Sequence, residues 1–240
     1  MSLRKKFSKR LRDLSYARIP PSDRYQPGEA KWLIAAEKEL GGFVKGLARR
    51  KPSPLDSRSP AELAKADMRG GDRMFHHRYA AAYSRHLAPF VANRSERYVV
   101  VETGILRGTG LALWSRLFPE ADIIGCDIDL EYTRDNLDAL RARGAFQRRP
   151  PELHLFDQLA DDAARAQEIL DGRTIDIFID DGIHTDVGVR RTLASFGPYM
   201  SKRAVYFIED MPNGQALVAD DRTFSATDFQ GELTVLSRGF

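Results

Sequence analysis

The sequence predicts an α/β protein with a doubly wound, mostly parallel sheet and a helical N-terminal extension. From residue 97 onward, short β-branched runs alternate with segments of helical spacing, a pattern typical of parallel strands joined by right-handed crossovers. Several of these runs are almost entirely apolar, as expected for strands that are covered on both faces. The 240 residues suffice for one such domain and a smaller appendage.

The N-terminal part of the chain is predicted to be helical. We expect a basic helical extension over residues 1–60 and a main domain over residues 61–240. The predicted helices cover residues 3–14, 29–50 with a possible break at Gly41, 61–68 and 74–90, the last closed by Ala88 and Pro89, and a Pro-rich linker covers residues 51–60.

The main domain is predicted to contain five parallel strands and their connecting helices. The strands are expected at residues 98–102, 122–127, 152–156, 174–179 and 204–208, with a possible antiparallel edge strand at 232–236. The helices are expected at residues 111–118, 132–143, 159–170 and 187–200.

Composition excludes several classes of protein. The single cysteine, Cys126, excludes an internal disulfide and a multi-cysteine zinc site. No apolar run approaches the roughly 20 residues of a membrane span, and no secretory signal is evident, so a cytoplasmic location is expected.

Positive charge is concentrated at the front of the chain. Residues 1–60 carry 15 Lys and Arg against 6 Asp and Glu, which leaves 22 against 28 for the remainder. The acidic main domain argues against a broad nucleic-acid surface, and no DNA partner is expected. The basic helix at 3–14 favours either peripheral contact with an anionic membrane or simple docking onto the protein itself, and the extension could also recruit a polyanion.

A glycine-rich turn follows the first predicted strand in the pattern Glu102-x-Gly104-x-x-x-Gly108-x-Gly110. Glycines here let the backbone turn sharply and approach a ligand at a helix N-terminus, which indicates a nucleotide-type site. Glu102 would repel a diphosphate but not a ligand that carries an ammonium group. The other interpretation is a turn that serves packing alone.

Two further carboxylates end the second and third strands. Asp127 lies about 20 residues after the glycine-rich turn, where an acid can accept hydrogen bonds from ribose hydroxyls. Asp129 is expected to cap the next helix or to face solvent. Asp157 either reaches an adenine amino group or caps the helix predicted from residue 159, and the sequence favours neither.

The fourth and fifth strands both end in acid pairs. Asp180 and Asp181 follow one strand, Glu209 and Asp210 follow the other, and His184 lies three residues after Asp181. Four carboxylates at one sheet edge repel one another unless a cation intervenes, and a divalent ion with oxygen ligands satisfies them. His184 is then a natural general base. Alternatively, the Asp residues cap a helix and His184 merely lines a cleft.

These motifs together resemble the class I S-adenosylmethionine-dependent methyltransferases, and more closely the metal-dependent O-methyltransferases of macrolide-sugar tailoring and the cephalosporin hydroxylase-like proteins. The similarity covers roughly residues 70–211, including the segment from Gly71 to Pro89. It implies a Rossmann-like methyltransferase fold that binds S-adenosylmethionine and Mg²⁺. The implied cofactor-binding residues are Glu102, Gly104, Gly108, Asp127, Asp157 and Asp180.

The same resemblance implies the catalytic assignment. Asp181, Glu209 and Asp210 would hold Mg²⁺, and His184, assisted by Asp181, would take the proton from an acceptor hydroxyl. The implied acceptor is a sugar, a glycan or another small molecule.

The sequence departs from this family at two points. Ile183 replaces the small residue usual between Gly182 and the histidine, and only 30 residues follow Asp210. The acceptor side is therefore expected to be abbreviated, or completed by the N-terminal region or by another subunit of a homo-oligomer.

Three other functions compete with small-molecule O-methylation. An NAD(P)-dependent oxidoreductase shares the sheet and the ribose-binding acid, but the acid-rich ends of the fourth and fifth strands argue against it. A non-catalytic nucleoside-binding module would not need to gather a base and metal ligands. A methyltransferase that acts on RNA or protein is also compatible with the basic extension.

Overall fold

The computed structural model describes residues 14–41, 71–219 and 223–240. Its centre is a seven-stranded sheet in the order β3-β2-β1-β4-β5-β7-β6. Strands β1 to β5 are all parallel to one another, and β7 runs antiparallel to both β5 and β6. The strands are β1 (Val99–Thr103), β2 (Asp122–Asp127), β3 (Glu152–Leu155), β4 (Ile175–Asp180), β5 (Met200–Ile208), β6 (Ala226–Gln230) and β7 (Leu233–Arg238).

Helices cover both faces of the sheet, as the predicted doubly wound architecture requires. The helices are α1 (Ala30–Leu40), α2 (Ala80–Val91), α3 (Thr109–Leu117), α4 (Glu131–Ala142), α5 (Ala163–Leu170), α6 (Asp186–Phe196) and α7 (Gly214–Leu217). Within the described ranges, no helix is both long and apolar enough to cross a bilayer.

Two hydrophobic cores are separated by the sheet. Alternate strand residues enter opposite cores: Val100 joins the core beneath α1, α2 and α3, while Val99 and Val101 join the core beneath α5 and α6. This alternation follows from the two-residue repeat of a strand, and it explains why the strand sequences are almost continuously apolar.

The N-terminal helix α1 is packed into the main core. Leu33 and Leu40 are fully buried in the same cluster as α2 and α3. Glu39 accepts hydrogen bonds from Ser22 and from Arg116 of α3, the latter at 2.7 Å. Residues 22–40 therefore pack against the sheet domain and share its hydrophobic core.

Several predictions lie outside the described residues. They are the basic helix over residues 3–13, the continuation of the second helix beyond residue 41, the linker, the helix at 61–68 and the boundary at residue 60. The described part of the second predicted helix ends at Gly41, whose φ of 135° takes its backbone out of the helical region.

The predicted helix at 74–90 is shorter at its start than expected. Residues 74–79 form turns, and α2 begins at Ala80. Arg78 has a φ of 66°, which interrupts a right-handed helix. At the other end, Pro89 lies inside α2, which continues to Val91.

The C-terminal 30 residues complete the sheet. A single terminal strand was expected at 232–236, but the chain forms two antiparallel strands, β6 and β7. Among the described residues of the connection between β5 and β6, the four-residue α7 is the helix.

Candidate active site

The predicted site residues lie at the carboxyl ends of β1, β4 and β5. The chain leaves β1 and β4 in opposite directions across the sheet, and ligands of open α/β sheets bind at such a switch point. Three non-glycine residues just after these strands have positive φ angles: Leu106 at 43°, His184 at 52° and Asp210 at 54°. Such backbone strain costs about 1–2 kcal/mol per residue and is concentrated at functional sites.

A group of buried side chains forms the lower part of the site, and we call it the inner cluster. It is centred on Arg73, whose Nη2 atom donates to Glu102 and Asp181, both at 2.8 Å. Its Nε atom donates to Glu209 at 2.9 Å. Tyr83 donates a hydrogen bond to Glu209, and Trp114 donates one to Glu102 at 2.6 Å. The inner cluster consists of Arg73, Glu102, Glu209, Tyr83 and Trp114.

Arg73 is the counter-ion of the inner cluster. Its side chain is 7% exposed, and burial alone would lower its pKa, but Glu102 and Glu209 hold the pKa well above the usual range. Burial raises the pKa of Asp181 and Glu209, and their mutual proximity adds to the effect on Asp181. Arg73 therefore supplies part of the positive charge that the four carboxylates require.

The more exposed part of the site is the outer cluster of Asp181, His184 and Asp210. One ligand atom from each lies within 4.8 Å of the others. Asp210 also accepts hydrogen bonds from Tyr79 at 2.7 Å and from His77 at 2.9 Å. Although burial would raise it, these hydrogen bonds lower the pKa of Asp210 to about 2.

His77 adds a second positive charge to the site. The hydrogen bond to Asp210 and the nearby carboxylate of Asp72, 3.6 Å away, raise the pKa of His77 to about 11. His77 is therefore an imidazolium at neutral pH and cannot serve as a base there.

His184 contacts residues that follow both β4 and β5. Its Nδ1 atom lies 3.3 Å from the backbone carbonyl of Glu209, which can only accept, so Nδ1 donates in this contact. Nε2 lies 3.7 Å from Asp181 Oδ1. A proton taken up at Nε2 would be stabilised by that carboxylate.

The glycines after β1 bring the strand ends together. A Cβ atom on Gly104 would lie 2.0 Å from the carbonyl oxygen of Asp181, and one on Gly110 would lie 2.2 Å from Glu102 Oε1. Gly108 has a φ of 74° and begins α3 without a side-chain cap. The backbone of this turn therefore lies directly against the inner cluster.

The predicted cofactor-binding carboxylates differ in their surroundings. Asp127 accepts the backbone N–H groups of Leu106 and Asp129 and so fixes the glycine-rich turn, and burial raises its pKa. Asp129 accepts the N–H of Glu131, but the N-cap of α4 is Leu130, so the predicted capping role of Asp129 was wrong.

Asp157 and Asp180 both make hydrogen bonds within the protein. Asp157 accepts the N–H of Leu159, but the helix that follows begins only after Asp162, which is its N-cap. Asp180 is 2% exposed, accepts a hydrogen bond from Gln158 at 2.7 Å, and has its pKa raised by burial to about 6. This geometry favours a structural role for Asp180 over the cofactor contact expected of it.

Glu102 and Glu209 also lie deeper than the sequence suggested. Each is 2% exposed and hydrogen-bonded to Arg73. Of the three predicted metal ligands, Asp181 and Asp210 therefore belong to the outer cluster, whereas Glu209 belongs to the inner cluster. Arg73 was not predicted; the only available signal for it was the need of four carboxylates for cations.

Two curated proteins are similar in sequence to this chain. It is 30% identical over 165 residues to the 8-demethyl-8-alpha-L-rhamnosyl tetracenomycin-C 2'-O-methyltransferase of Streptomyces olivaceus, a match over 65% of this chain and 39% of that protein. It is 27% identical to the mycinamicin VI 2''-O-methyltransferase of Micromonospora griseorubida, over 75% of this chain and 41% of that protein. The chain spans about two fifths of the length of these relatives. No protein-family model matches it.

The fold is shared with solved methyltransferases. The methyltransferase MycE of the mycinamycin biosynthetic pathway, in complex with Mg and SAH, aligns over 68% of this chain and 50% of its own, with a TM-score of 0.52 and 22% identity. Its complex with Mg, SAH and mycinamycin VI aligns over 69% and 50%, with a TM-score of 0.53. The predicted resemblance is thereby confirmed: the chain has the class I S-adenosylmethionine-dependent methyltransferase fold and is similar in sequence to two O-methyltransferases.

Proposed function

We propose that the chain is the catalytic domain of an S-adenosylmethionine-dependent, Mg²⁺-assisted O-methyltransferase that acts on a hydroxyl of a sugar or of a glycosylated small molecule. The observation that carries the proposal is the outer cluster, where two carboxylates and a histidine converge at the strand ends of a methyltransferase fold. When bound, S-adenosylmethionine supplies an activated methyl group, and Mg²⁺ lowers the pKa of a coordinated hydroxyl.

The glycine-rich turn fits the cofactor. Gly104 and Gly108 have positive φ angles that turn the backbone sharply toward α3, and Asp127 is anchored where ribose hydroxyls would donate to it. Asp157 is half-buried at the end of β3, where an adenine amino group could donate to it. These residues would hold the nucleoside.

The outer cluster fits a divalent ion. Glu102, Asp181, Glu209 and Asp210 carry four carboxylates, and Arg73 and protonated His77 provide two positive charges nearby. A divalent ion would balance the remainder and relieve the repulsion that raises the pKa of Asp181. Asp181 and Asp210 would hold it, with Glu209 behind them.

His184 would act as the general base. With Nδ1 held by the Glu209 carbonyl, Nε2 would accept the proton of the acceptor hydroxyl. The acceptor oxygen would then form its bond to the methyl carbon as the carbon–sulfur bond breaks. Aligning these atoms is the main task of the protein, because the methyl group is already activated.

The acceptor class is supported by the relatives. One acts, by its name, on a rhamnosyl compound at a 2' oxygen, and the other on mycinamicin VI at a 2'' oxygen. We therefore propose a hydroxyl of a glycosylated small molecule as acceptor. A homo-oligomer that completes the acceptor pocket fits the expectation from the sequence.

Calorimetric titration of S-adenosylmethionine into the full chain tests the proposal. Saturable one-site binding, with a changed affinity when Mg²⁺ is replaced by a chelator, is the expected result. Absence of binding in both buffers, together with binding of NAD or NADP, would overturn it in favour of an oxidoreductase.

Asp181→Asn tests the metal separately. Methyl transfer to hydroxylated sugars, followed by mass spectrometry, should lose both rate and Mg²⁺ dependence in this variant. Asp129→Asn is the matched control, since Asp129 accepts the N–H of Glu131 and does not belong to the outer cluster. Unchanged Mg²⁺ dependence in Asp181→Asn contradicts the metal assignment.

A further inference from the structure

Arg73 lies inside the carboxylate cluster and not at its edge. Its guanidinium contacts Glu102 and Asp181 through one nitrogen and Glu209 through another. Glu102 and Glu209 are 2% and 3% exposed at their side chains, whereas Asp181 is 28% exposed. Of these three partners, Asp181 is the one that contacts the buried guanidinium and is also partly exposed.

The same carboxylate belongs to the outer cluster. Its oxygen lies within 4.8 Å of ligand atoms of His184 and Asp210. An ion bound there must share Asp181 with Arg73 and tolerate a fixed positive charge nearby. Repulsion between the two cations is substantial, because a partly buried site is poorly screened.

We propose that Arg73 sets the divalent-ion affinity of the site by competing with the ion for Asp181 and by holding Glu209 turned inward. This inference rests on the metal site of the proposed function. It makes Arg73 a positioning residue that substitutes for part of the ionic charge when the site holds no ion. Binding of the ion is then coupled to the loop that carries Arg73, which Glu37 of α1 anchors by accepting the N–H of Met74 at 3.1 Å.

A purely structural role for Arg73 predicts the opposite sign. If Arg73 only held the strand ends in place, its removal would scatter the carboxylates and weaken metal binding. If Arg73 competes with the ion, its removal frees Asp181 and Glu209 and strengthens binding. The direction of the change therefore separates the two roles.

Titration of the full chain with Mn²⁺, read by electron paramagnetic resonance of the free ion, makes this comparison. Arg73→Met should bind Mn²⁺ about tenfold more tightly than the wild type or better. Arg73→Lys, which keeps the charge, should bind about as weakly as the wild type. Arg97→Met is the matched control: it removes a cation that pairs with Asp122 at the opposite end of the sheet, and should change nothing.

Equal or weaker Mn²⁺ binding by Arg73→Met overturns the inference and leaves the proposed function standing. If no protein of the series binds Mn²⁺, the inference fails together with the metal part of the proposed function. The calorimetric titration with S-adenosylmethionine then still tests the cofactor independently.

A measurement on the wild type covers the case in which Arg73→Met does not fold. In protein labelled with ¹⁵N-arginine, the Nε–H signal that is missing from Arg73→Lys identifies Arg73, and its bond to Glu209 should slow exchange with water. Saturating Mg²⁺ should shift that signal, because Nη2 of the same guanidinium loses its contact to Asp181, while the bond from Nε to Glu209 keeps the exchange slow. A signal that is unaffected by Mg²⁺ overturns the inference.

Discussion

At the scale of single residues, the site depends on close approach between loops that follow different strands. Gly104 after β1 touches the backbone of Asp181 and Gly182 after β4. Gly182 in turn faces Gln158, whose side chain bonds both Asp180 and the N–H of Ile183. The outer cluster is therefore held in place by close backbone contacts at Gly104 and Gly182, where a side chain would clash.

Gly104→Ala should destabilise the protein more than the same change at a glycine in open space. Its Cβ would lie 2.0 Å from Asp181 O at a φ of 80°, which together cost about 3 kcal/mol. Gly144→Ala is the control, because Gly144 has a φ of 86° but no atom within 4 Å, so about 1 kcal/mol is expected. Urea unfolding measures both, and equal losses would contradict the close contact.

His184→Asn should abolish most catalysis and leave cofactor binding intact. Asparagine tolerates the φ of 52° at this position better than alanine does, so the backbone is preserved while the base is removed. The loss of a general base predicts a turnover that is lower by about 10²- to 10⁴-fold.

Turnover and calorimetric affinity for S-adenosylmethionine should be measured on the same preparation of His184→Asn. His154→Asn, on β3, is the control and should retain activity. A His184→Asn enzyme with near-normal turnover would leave the base unassigned.

At the scale of elements, α1 supports the site through a buried carboxyl group. Glu37 is 2% exposed, accepts the N–H of Met74, and has its pKa raised by burial from 4.5 to about 8. The neighbouring Glu39 faces Ser22 and Arg116, and hydrogen bonds from these residues lower its pKa although burial opposes them. One helix thus carries two glutamates with opposite shifts.

Glu37→Gln should reduce the pH dependence of stability. Because the folded pKa is above the unfolded one, Glu37 favours folding most below pH 4.5, and this contribution is lost as pH rises toward about 8. Between pH 5 and pH 8 the wild type should lose up to about 4 kcal/mol of unfolding free energy relative to the variant.

Glu39→Gln is the control on the same helix. Its lowered pKa places its contribution above pH 4.5 and removes it only as pH falls, so its effect should be constant over the same range. Parallel pH profiles for wild type and Glu37→Gln would contradict the raised pKa of Glu37.

The elements also show how far sequence reasoning extends. The five parallel strands were predicted to within a few residues, because β1, β2 and β4 are mostly apolar runs that end in a polar residue and the apolar end of β5 is followed by Glu209. The start of α2 was wrong because the apolar spacing of residues 74–79 suits a helix, while Arg78 adopts a positive φ that spacing does not reveal.

The candidate site was predicted for its carboxylates and not for its cations. Asp181, His184 and Asp210 could be placed together because parallel strands end at the same edge. Arg73 could not, since it lies in a turn 29 residues before Glu102 and reaches the cluster only through the packing of α2 on the sheet. Long-range placement of a loop is a tertiary property that local patterns do not encode.

At the scale of the whole molecule, the packing of α1 determines how the domain unfolds. Trp32 of α1 and Trp114 of α3 are both buried in the same core, and Arg116 lies 5.9 Å from the ring of Trp32. An N-terminal extension that docked only weakly would open before the sheet unfolds. The shared core predicts a single cooperative unit instead.

The two tryptophans, the only ones in the chain, provide separate probes of this cooperativity. In Trp114→Phe the fluorescence reports α1, and in Trp32→Phe it reports α3, whereas far-UV circular dichroism reports the whole chain. Within each variant, the fluorescence and dichroism transitions in urea should coincide, because Leu33 and Leu40 tie α1 to the sheet-facing helices. If Trp32 fluorescence changes at a lower urea concentration than the dichroism, α1 is a separately unfolding element. The anchoring of Met74 by Glu37 would then be lost before the sheet, and with it the support of α1 for the candidate site.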